Sequence, residues 1–127
     1  MSELLDRLLR ADLPDVRKKL PEKKFMVKRL SQELSGDAIF TLRAISYNKV
    51  QTILDMDPKD IPVQEILEGC SDPNFRDEKL LRPEKGIVTP ADVVTSMLNP
   101  GEIKAIAFEI DRLTGYRQQT IQEVKNA

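Results

Sequence analysis

The sequence predicts an α+β fold that is mainly α-helical. Residues 25–45 contain two runs rich in β-forming residues, which indicate a small two-stranded antiparallel ribbon near the N-terminus. After residue 46, apolar residues recur at helical spacing between capping signals, which predicts about five helices. At 127 residues we expect a single domain, with a helix and linker over 1–24, the ribbon over 25–45 and the helical part over 46–127.

The best-defined local structure is predicted for residues 89–115, where two helix starts of the same design follow each other. Each start places an N-cap oxygen before a proline and an acid at the third helical position, a pattern that satisfies free backbone N–H groups and suits the helix dipole. A glycine after the second helix is typical of a C-terminal cap. We therefore expect a fixed helix corner formed by Thr89, Pro90, Asn99, Pro100, Gly101, Glu102 and Gly115.

Apolar stripes support both helices of this corner. The first stripe comprises Val93, Val94, Met97 and Leu98, and the second comprises Ile103, Ile106, Ala107, Ile110 and Leu113. A second group on the later helix, Ala105, Phe108 and Arg112, lies away from that stripe. It predicts either a second buried face or an exposed patch for a protein partner.

The N-terminal residues 2–10 predict a short amphipathic helix, capped by Ser2 and with one apolar face. That face comprises Leu4, Leu5, Leu8 and Leu9. A helix this short is marginal alone, so it either packs on the domain or binds a partner. Residues 11–24 are expected to form a loop or linker.

Between the linker and the corner, the sequence predicts two strands and three helices. The strands are Phe25–Leu30 and Ala38–Ile45, joined through a possible helical turn and Ser35-Gly36-Asp37. The helices are 46–56, one opened by Pro62 and ending near Cys70, and one that starts at Asp72-Pro73 and reaches Leu81. Residues 82–86 are expected to form a loop, and 117–125 a last helix with Ile121 and Val124 facing inward.

The residue types exclude most catalytic chemistry. The chain has no histidine and one cysteine, so His-dependent catalysis, an internal disulfide and a Cys/His zinc site are excluded. Cys70 is interpreted as a small buried hydrophobe whose pKa the nearby Glu68 would raise. The sequence contains no phosphate-binding loop and no Gly-x-Ser-x-Gly motif. We expect a non-enzymatic protein with no cofactor and no metal.

Location and charge give further expectations. No apolar run is long enough to span a membrane, and Asp6, Arg7 and Arg10 interrupt any signal-peptide core, so we expect a cytoplasmic protein. The net charge of -1 gives no general case for nucleic acid. The exception is the basic stretch 17–29, which is typical either of a solvated strand edge or of a small helical regulator that binds nucleic acid.

The residues of the helix corner also carry a family resemblance. Leu98-Asn99-Pro100-Gly101-Glu102-Ile103 followed by Leu113-Thr114-Gly115-Tyr116 resembles the XkdN-like phage tail assembly chaperones found in prophages of Gram-positive bacteria. Lys28-Arg29-Leu30-Ser31 and the run from Phe40 to Ile45 are similar to the family's opening strand and second strand. The acidic middle, 55–80, matches only loosely.

The resemblance implies a small cytoplasmic protein made while a contractile-tailed phage or phage-like particle assembles. It implies a holdase that binds the tape-measure protein, keeps its apolar helices soluble and gives way to tail-tube subunits. Such a protein is expected to be absent from the mature virion, and the family has no catalytic residues. The resemblance and the residues together predict that the leucine face of residues 2–10 and the Ala105/Phe108/Arg112 group bind the partner, with the oligomeric state left open.

Overall fold

The computed structural model describes residues 3–10, 20–116 and 118–125. Within these ranges it contains six α-helices and three strands, and the α+β class is confirmed. The elements are α1 (Glu3–Leu8), β1 (Glu22–Met26), α2 (Lys28–Glu33), β2 (Ile39–Arg43), α3 (Tyr47–Leu54), α4 (Ile61–Gly69), β3 (Cys70–Asp72), α5 (Pro90–Met97) and α6 (Pro100–Thr114). Short 3-10 turns lie at Pro58–Asp60, Glu78–Leu80 and Pro83–Lys85.

The sheet has three antiparallel strands in the order β1-β2-β3, so the predicted two-stranded ribbon is wrong in strand number. Phe25 of β1 pairs with Phe40, and Leu42 pairs with Cys70 of β3 across a register shift. β3 escaped prediction because it is three residues long and follows α4 without a turn signal. Its pairing makes β2 the central strand and places Phe40 and Leu42 in the core.

The predicted first strand, Phe25–Leu30, is displaced in the structure. β1 begins earlier, at Glu22, and ends at Met26, while Lys28–Glu33 forms α2. Ser31 favours the helix α2 because its hydroxyl donates to the Val27 carbonyl (3.0 Å) and accepts from the Ala38 N–H (2.9 Å). These bonds replace strand pairing with a compact connection between β1 and β2. The second strand is confirmed as Ile39–Arg43.

Helices α4, α5 and α6 pack on one another, and α6 also packs on β2, so that together they close one hydrophobic core. Ile66, Val93, Val94 and Ile110 are fully buried, as the apolar stripes predict, whereas Met97 stays 38% exposed. The other buried members of the core are Val27, Phe40, Leu42, Ile45, Ile53, Cys70, Phe75, Leu98 and Ile106. The predicted helix over 46–56 is confirmed as α3, although only Ile53 of its apolar face is buried.

The helix predicted from Asp72-Pro73 to Leu81 is wrong. Asn74 accepts a hydrogen bond from the Arg76 N–H (3.1 Å), and Asp77 accepts one from the Lys79 N–H (2.9 Å). These side-chain hydrogen bonds stabilise backbone turns in place of a helix. The segment therefore contains only the 3-10 turn at Glu78–Leu80. Phe75 fixes the segment, because its ring packs edge-on against Phe40 at a centroid distance of 5.8 Å.

The helix predicted over 117–125 is also wrong. Residues 118–125 contain no helix, and Ile121 and Val124 are exposed to solvent. Gln118 instead donates its side-chain amide to the carbonyl of Arg112 near the end of α6. Arg117, the start of that prediction, lies outside the described residues.

Candidate functional site

The helix corner has the caps that the sequence predicts. Thr89 Oγ1 accepts from the Asp92 N–H (3.1 Å), and Asp92 Oδ2 accepts from the Thr89 N–H (3.1 Å). Asn99 Oδ1 and Glu102 form the second reciprocal pair, at 2.8 and 2.9 Å. α5 and α6 therefore both begin with a complete capping box behind Pro90 and Pro100. Gly115 closes α6 with φ of +112°, a left-handed conformation that favours glycine.

A distant arginine completes this corner, and sequence reasoning missed it. Arg29 of α2 binds both carboxylate oxygens of Glu102, with Nη2–Oε1 at 2.8 Å and Nε–Oε2 at 3.0 Å. Its Nη2 also donates to the Met97 carbonyl (2.6 Å) at the end of α5, and its Nη1 pairs with Glu33 at 3.1 Å. One guanidinium thus joins α2 to both helices of the corner.

Hydrogen bonds and an ion pair shift the pKa values of three charged side chains in the corner. The hydrogen bonds from Arg29 lower the pKa of the Glu102 carboxyl, and the Asn99 N–H acts in the same direction. Those same bonds to Glu102 raise the pKa of Arg29. The N–H groups of Val88 and Thr89, with the Thr89 hydroxyl, lower the pKa of Asp92. All three groups are held in their charged forms by structural contacts.

The outer face of α6, formed by Ala105, Phe108 and Arg112, is exposed. Among the described residues this group does not form a second buried face, since Phe108 remains 40% exposed. Arg112 forms a long ion pair with Glu109 (3.7 Å) at the edge of the face. The result is a small apolar patch bounded by charge, on a rigid helix.

Residues 3–10 form an N-terminal arm, and every residue of this arm is exposed. The leucines of the arm are between 42% and 68% exposed, namely Leu4, Leu5 and Leu8 on α1 and Leu9 directly after it. The alternative in which this helix packs on the domain is not what the structure shows. The predicted cap, Ser2, lies outside the described residues.

The basic stretch 17–29 is divided between a strand edge and a structural ion pair. Lys23 and Lys24 lie on β1, the edge strand of the sheet, where charge discourages edge-to-edge pairing. Arg29 is already engaged by Glu102. Residues 17–19 lie outside the described residues. The solvated-edge interpretation therefore agrees with the described part of this stretch.

Cys70 is buried in the core, as predicted for a small hydrophobe. Burial raises the pKa of its thiol to about 12, and the nearby Asp72 charge adds to this effect, while hydrogen bonding to Asp72 opposes it. Glu68, the cause expected from the sequence, instead pairs with Arg76 at 2.9 Å. A thiol in this setting is a poor nucleophile.

A groove of about 390 Å³ lies between α3, the start of α4 and the end of α6. Its wall is mainly apolar, with Asp111 at the end of α6 as an acidic member. The apolar lining includes Ile45, Val50, Ile53, Leu54, Ile61 and Tyr116. The apolar periodicity of the sequence assigns the helical residues of this lining to the faces of separate helices. The same pattern carries no signal that these faces meet around an open space.

Among the described residues, no cluster of three cysteine or acidic side chains is arranged to hold a metal ion. In the same parts of the chain, every helix is too short or too polar to cross a bilayer.

Comparison with known proteins gives one family. A family model described as phage XkdN-like tail assembly chaperone protein matches residues 5–127. No curated protein and no solved structure matches the chain. The matched range includes the helix corner, the groove and nearly all of the N-terminal arm.

Proposed function

Because the chain belongs to the XkdN-like family of phage tail assembly chaperones, we propose that it binds the tape-measure protein during tail assembly. In this proposal it is a holdase that keeps the client's apolar helices apart until tail-tube subunits replace it. Membership in a chaperone family implies a non-enzymatic role. We place this function in the cytoplasm of the bacterial host and expect the protein to be absent from the mature virion.

The observation that supports a holdase best is the pair of exposed apolar surfaces on a well-packed core. The leucines of the N-terminal arm and the outer face of α6 leave apolar area in water although the core residues around Ile66 and Ile110 are fully buried. Exposed apolar area on a soluble protein commonly marks an interaction surface. Helical clients bind such surfaces through apolar residues spaced along one face.

The two surfaces differ in how they are held. The arm contains a helix of six residues, whereas Phe108 lies on α6, which the capping box and Gly115 fix at both ends. A preorganised patch loses little conformational entropy on binding, whereas a helix of about two turns is marginal alone and is stabilised when a client covers its apolar face. This combination suits capture at modest affinity, which permits later release by mass action.

Co-expression with the tape-measure protein of the same phage or prophage tests the proposal. Leu5→Asp and Phe108→Asp should leave the chaperone folded, because both side chains are substantially exposed, and should reduce the soluble fraction of the client. Leu34→Asp is the matched control, since Leu34 is exposed at 69% but lies on neither surface. If both surface variants fold and still keep the client soluble, this assignment of the binding surface is wrong.

A further inference from the structure

We propose that the groove between α3, α4 and α6 binds an amphipathic helix of the client, one whose apolar face is bordered by lysine or arginine side chains. The proposal rests on the function proposed above, because this helix belongs to the tape-measure protein. It adds the place where that helix binds and the charge that it carries. Three features of the groove support it, namely its side-chain lining, its acidic character and its position beside the outer face of α6.

The lining of the groove suits a helix better than an extended segment. Side chains of α3, α4 and α6 form it together with Ile45 and Tyr116, so the described lining presents no open strand edge. The Ile45 N–H already donates to Thr114 Oγ1 (3.1 Å), and the Thr114 hydroxyl donates to the Ile110 carbonyl (2.8 Å). An occupant that pairs its own backbone groups, as a helix does, therefore leaves none of them unsatisfied here.

The groove also leaves apolar area in water that a helix would cover. Of its lining residues, Leu54 is 54% exposed and Tyr116 is 50% exposed, whereas Ile53 is buried. The volume of about 390 Å³ lies within the range of about 300–1,000 Å³ that is typical of apolar binding sites. Apolar side chains spaced along one face of a client helix are the matching ligand.

The charges of the groove favour a basic border on that helix. The two charged residues in the lining, Glu65 and Asp111, are both acidic. In the two stretches that supply the lining, 45–65 and 111–116, five acids stand against three bases, which are Lys49, Lys59 and Arg112. Arg112 pairs with Glu109, and Lys49 lines a neighbouring depression together with Glu68. Lysine or arginine beside the apolar face of the client would complement this excess of negative charge.

The groove adjoins a surface that the proposed function already uses. Asp111 and Phe108 are three positions apart on α6 and are therefore neighbours on the helix surface. A client helix in the groove would place its basic border at Asp111 and reach the outer face of α6 beyond it. The N-terminal arm of a second copy fits less well, because Glu3 and Asp6 balance its Arg7 and Arg10 and leave it without net charge.

Two synthetic helical peptides test the charge preference on the full-length chain. Both have the same leucine face, bordered by lysine in one peptide and by glutamate in the other. The lysine peptide should bind at least about tenfold more tightly at low salt, shift the methyl signals of Ile53 and Ile61, and lose much of its advantage at about 0.5 M salt. Equal affinities, no binding of either peptide, or shifts confined to other surfaces would overturn the proposal.

A charge reversal in the groove separates recognition from folding. Asp111→Lys should reverse the preference between the two peptides, and it should leave the chain folded because a cation suits the C-terminal end of a helix. Asp37→Lys is the matched control, since Asp37 is an exposed acid before β2 whereas Ile45 follows that strand. An unchanged preference in a folded Asp111→Lys protein would contradict the assigned role of the groove.

Co-purification with the tape-measure protein separates this proposal from the function on which it rests. Leu54→Asp should lower the amount of client retained, because it places a charge in the apolar lining at an exposed position. If the native chain retains no client, the proposed function fails. If the native chain and a folded Leu54→Asp variant retain equal amounts, the function stands and the groove is not the site. Methyl shifts at Ile53 that grow with protein concentration in the absence of any peptide would assign the groove to a second copy.

Discussion

Arg29 and Glu102 form a bidentate ion pair although they lie 73 positions apart in the sequence, and the pair joins α2 to the first turn of α6. Glu102 has two roles, since it also accepts the Asn99 N–H in the capping box. The Arg29 side chain is 35% exposed and that of Glu102 is 17% exposed, so solvent screens the pair only in part. A guanidinium suits this position because its planar fork reaches the carboxylate and the Met97 carbonyl together.

The first prediction concerns this pair. Arg29→Gln should lower the free energy of unfolding by more than Glu33→Gln does, because Arg29 also loses its bonds to Glu102 and to the Met97 carbonyl. Glu33 forms only an exposed i,i+4 pair, for which a loss of about 0.3–0.5 kcal/mol is typical. Urea unfolding at low salt measures both values. Equal losses would show that the contact between α2 and the corner adds nothing to stability.

The second prediction concerns the cap of α6. Asn99→Ala should lower the free energy of unfolding by about 1 kcal/mol, because the Glu102 N–H loses its acceptor. Asn99→Ser is the control, since a serine hydroxyl can replace the amide oxygen at this position. Client solubility should be unchanged in both variants at a temperature where they remain folded. A folded Asn99→Ala protein that fails to protect the client would show that the corner has a direct functional role.

The third prediction is a loss of stability in acid. The carboxyls of Glu102 and Asp92 have lower pKa values in the folded chain than their ordinary values of 4.5 and 3.8. Their contribution to the free energy of unfolding is therefore present above the ordinary pKa, and it is lost as the pH falls through the pKa of the folded chain. Stability should be nearly constant from about pH 6 to 8, where no histidine is present to titrate, and should fall below about pH 4.5.

Glu102→Gln separates the charge of Glu102 from its capping role in this experiment. A glutamine can still accept the Asn99 N–H, as in other capping boxes, but cannot lose charge in acid. Urea unfolding of the two proteins at pH values of about 7 and 3.5 should show a smaller acid loss for the variant. The same acid loss in both proteins would assign it to other carboxylates.

The fourth prediction concerns the contact of α4 with α6 at Gly69. A Cβ at this position would lie 2.6 Å from Cγ2 and 2.8 Å from Cδ1 of Ile110, which is fully buried. Gly69→Ala should therefore destabilise the chain by about 1–3 kcal/mol through overpacking. Gly36→Ala is the matched control, because a Cβ there meets no atom within 4 Å.

A double variant tests the cause of the Gly69 effect. Ile110→Ala removes the three side-chain atoms that the new Cβ would meet, so Gly69→Ala should cost less in that background than in the native chain. Thermal or urea unfolding of the four proteins gives this coupling energy. Additive losses would place the cost in the backbone of α4 and not in the contact with Ile110.

Local patterns in the sequence determined the helix corner. Thr89, Asn99 and Gly115 make their contacts within a few residues, and a cap functions in the same way wherever the helix is placed. The inward stripe of α6 and the class of the fold could also be read from spacing, because a buried face leaves a regular apolar pattern. The family resemblance was carried by these same residues, and the match over residues 5–127 confirms it.

Tertiary structure decided the features that depend on distant partners. β3 exists because β2 offers it an unpaired edge, and Phe75 is fixed by Phe40 and not by the helix that its sequence suggests. The groove and the bond between Arg29 and Glu102 each need elements that are distant in the sequence. Whether an apolar face is core or surface is decided by what the rest of the chain places against it. For that reason Ile110 is buried, whereas Leu9 and Phe108 are exposed.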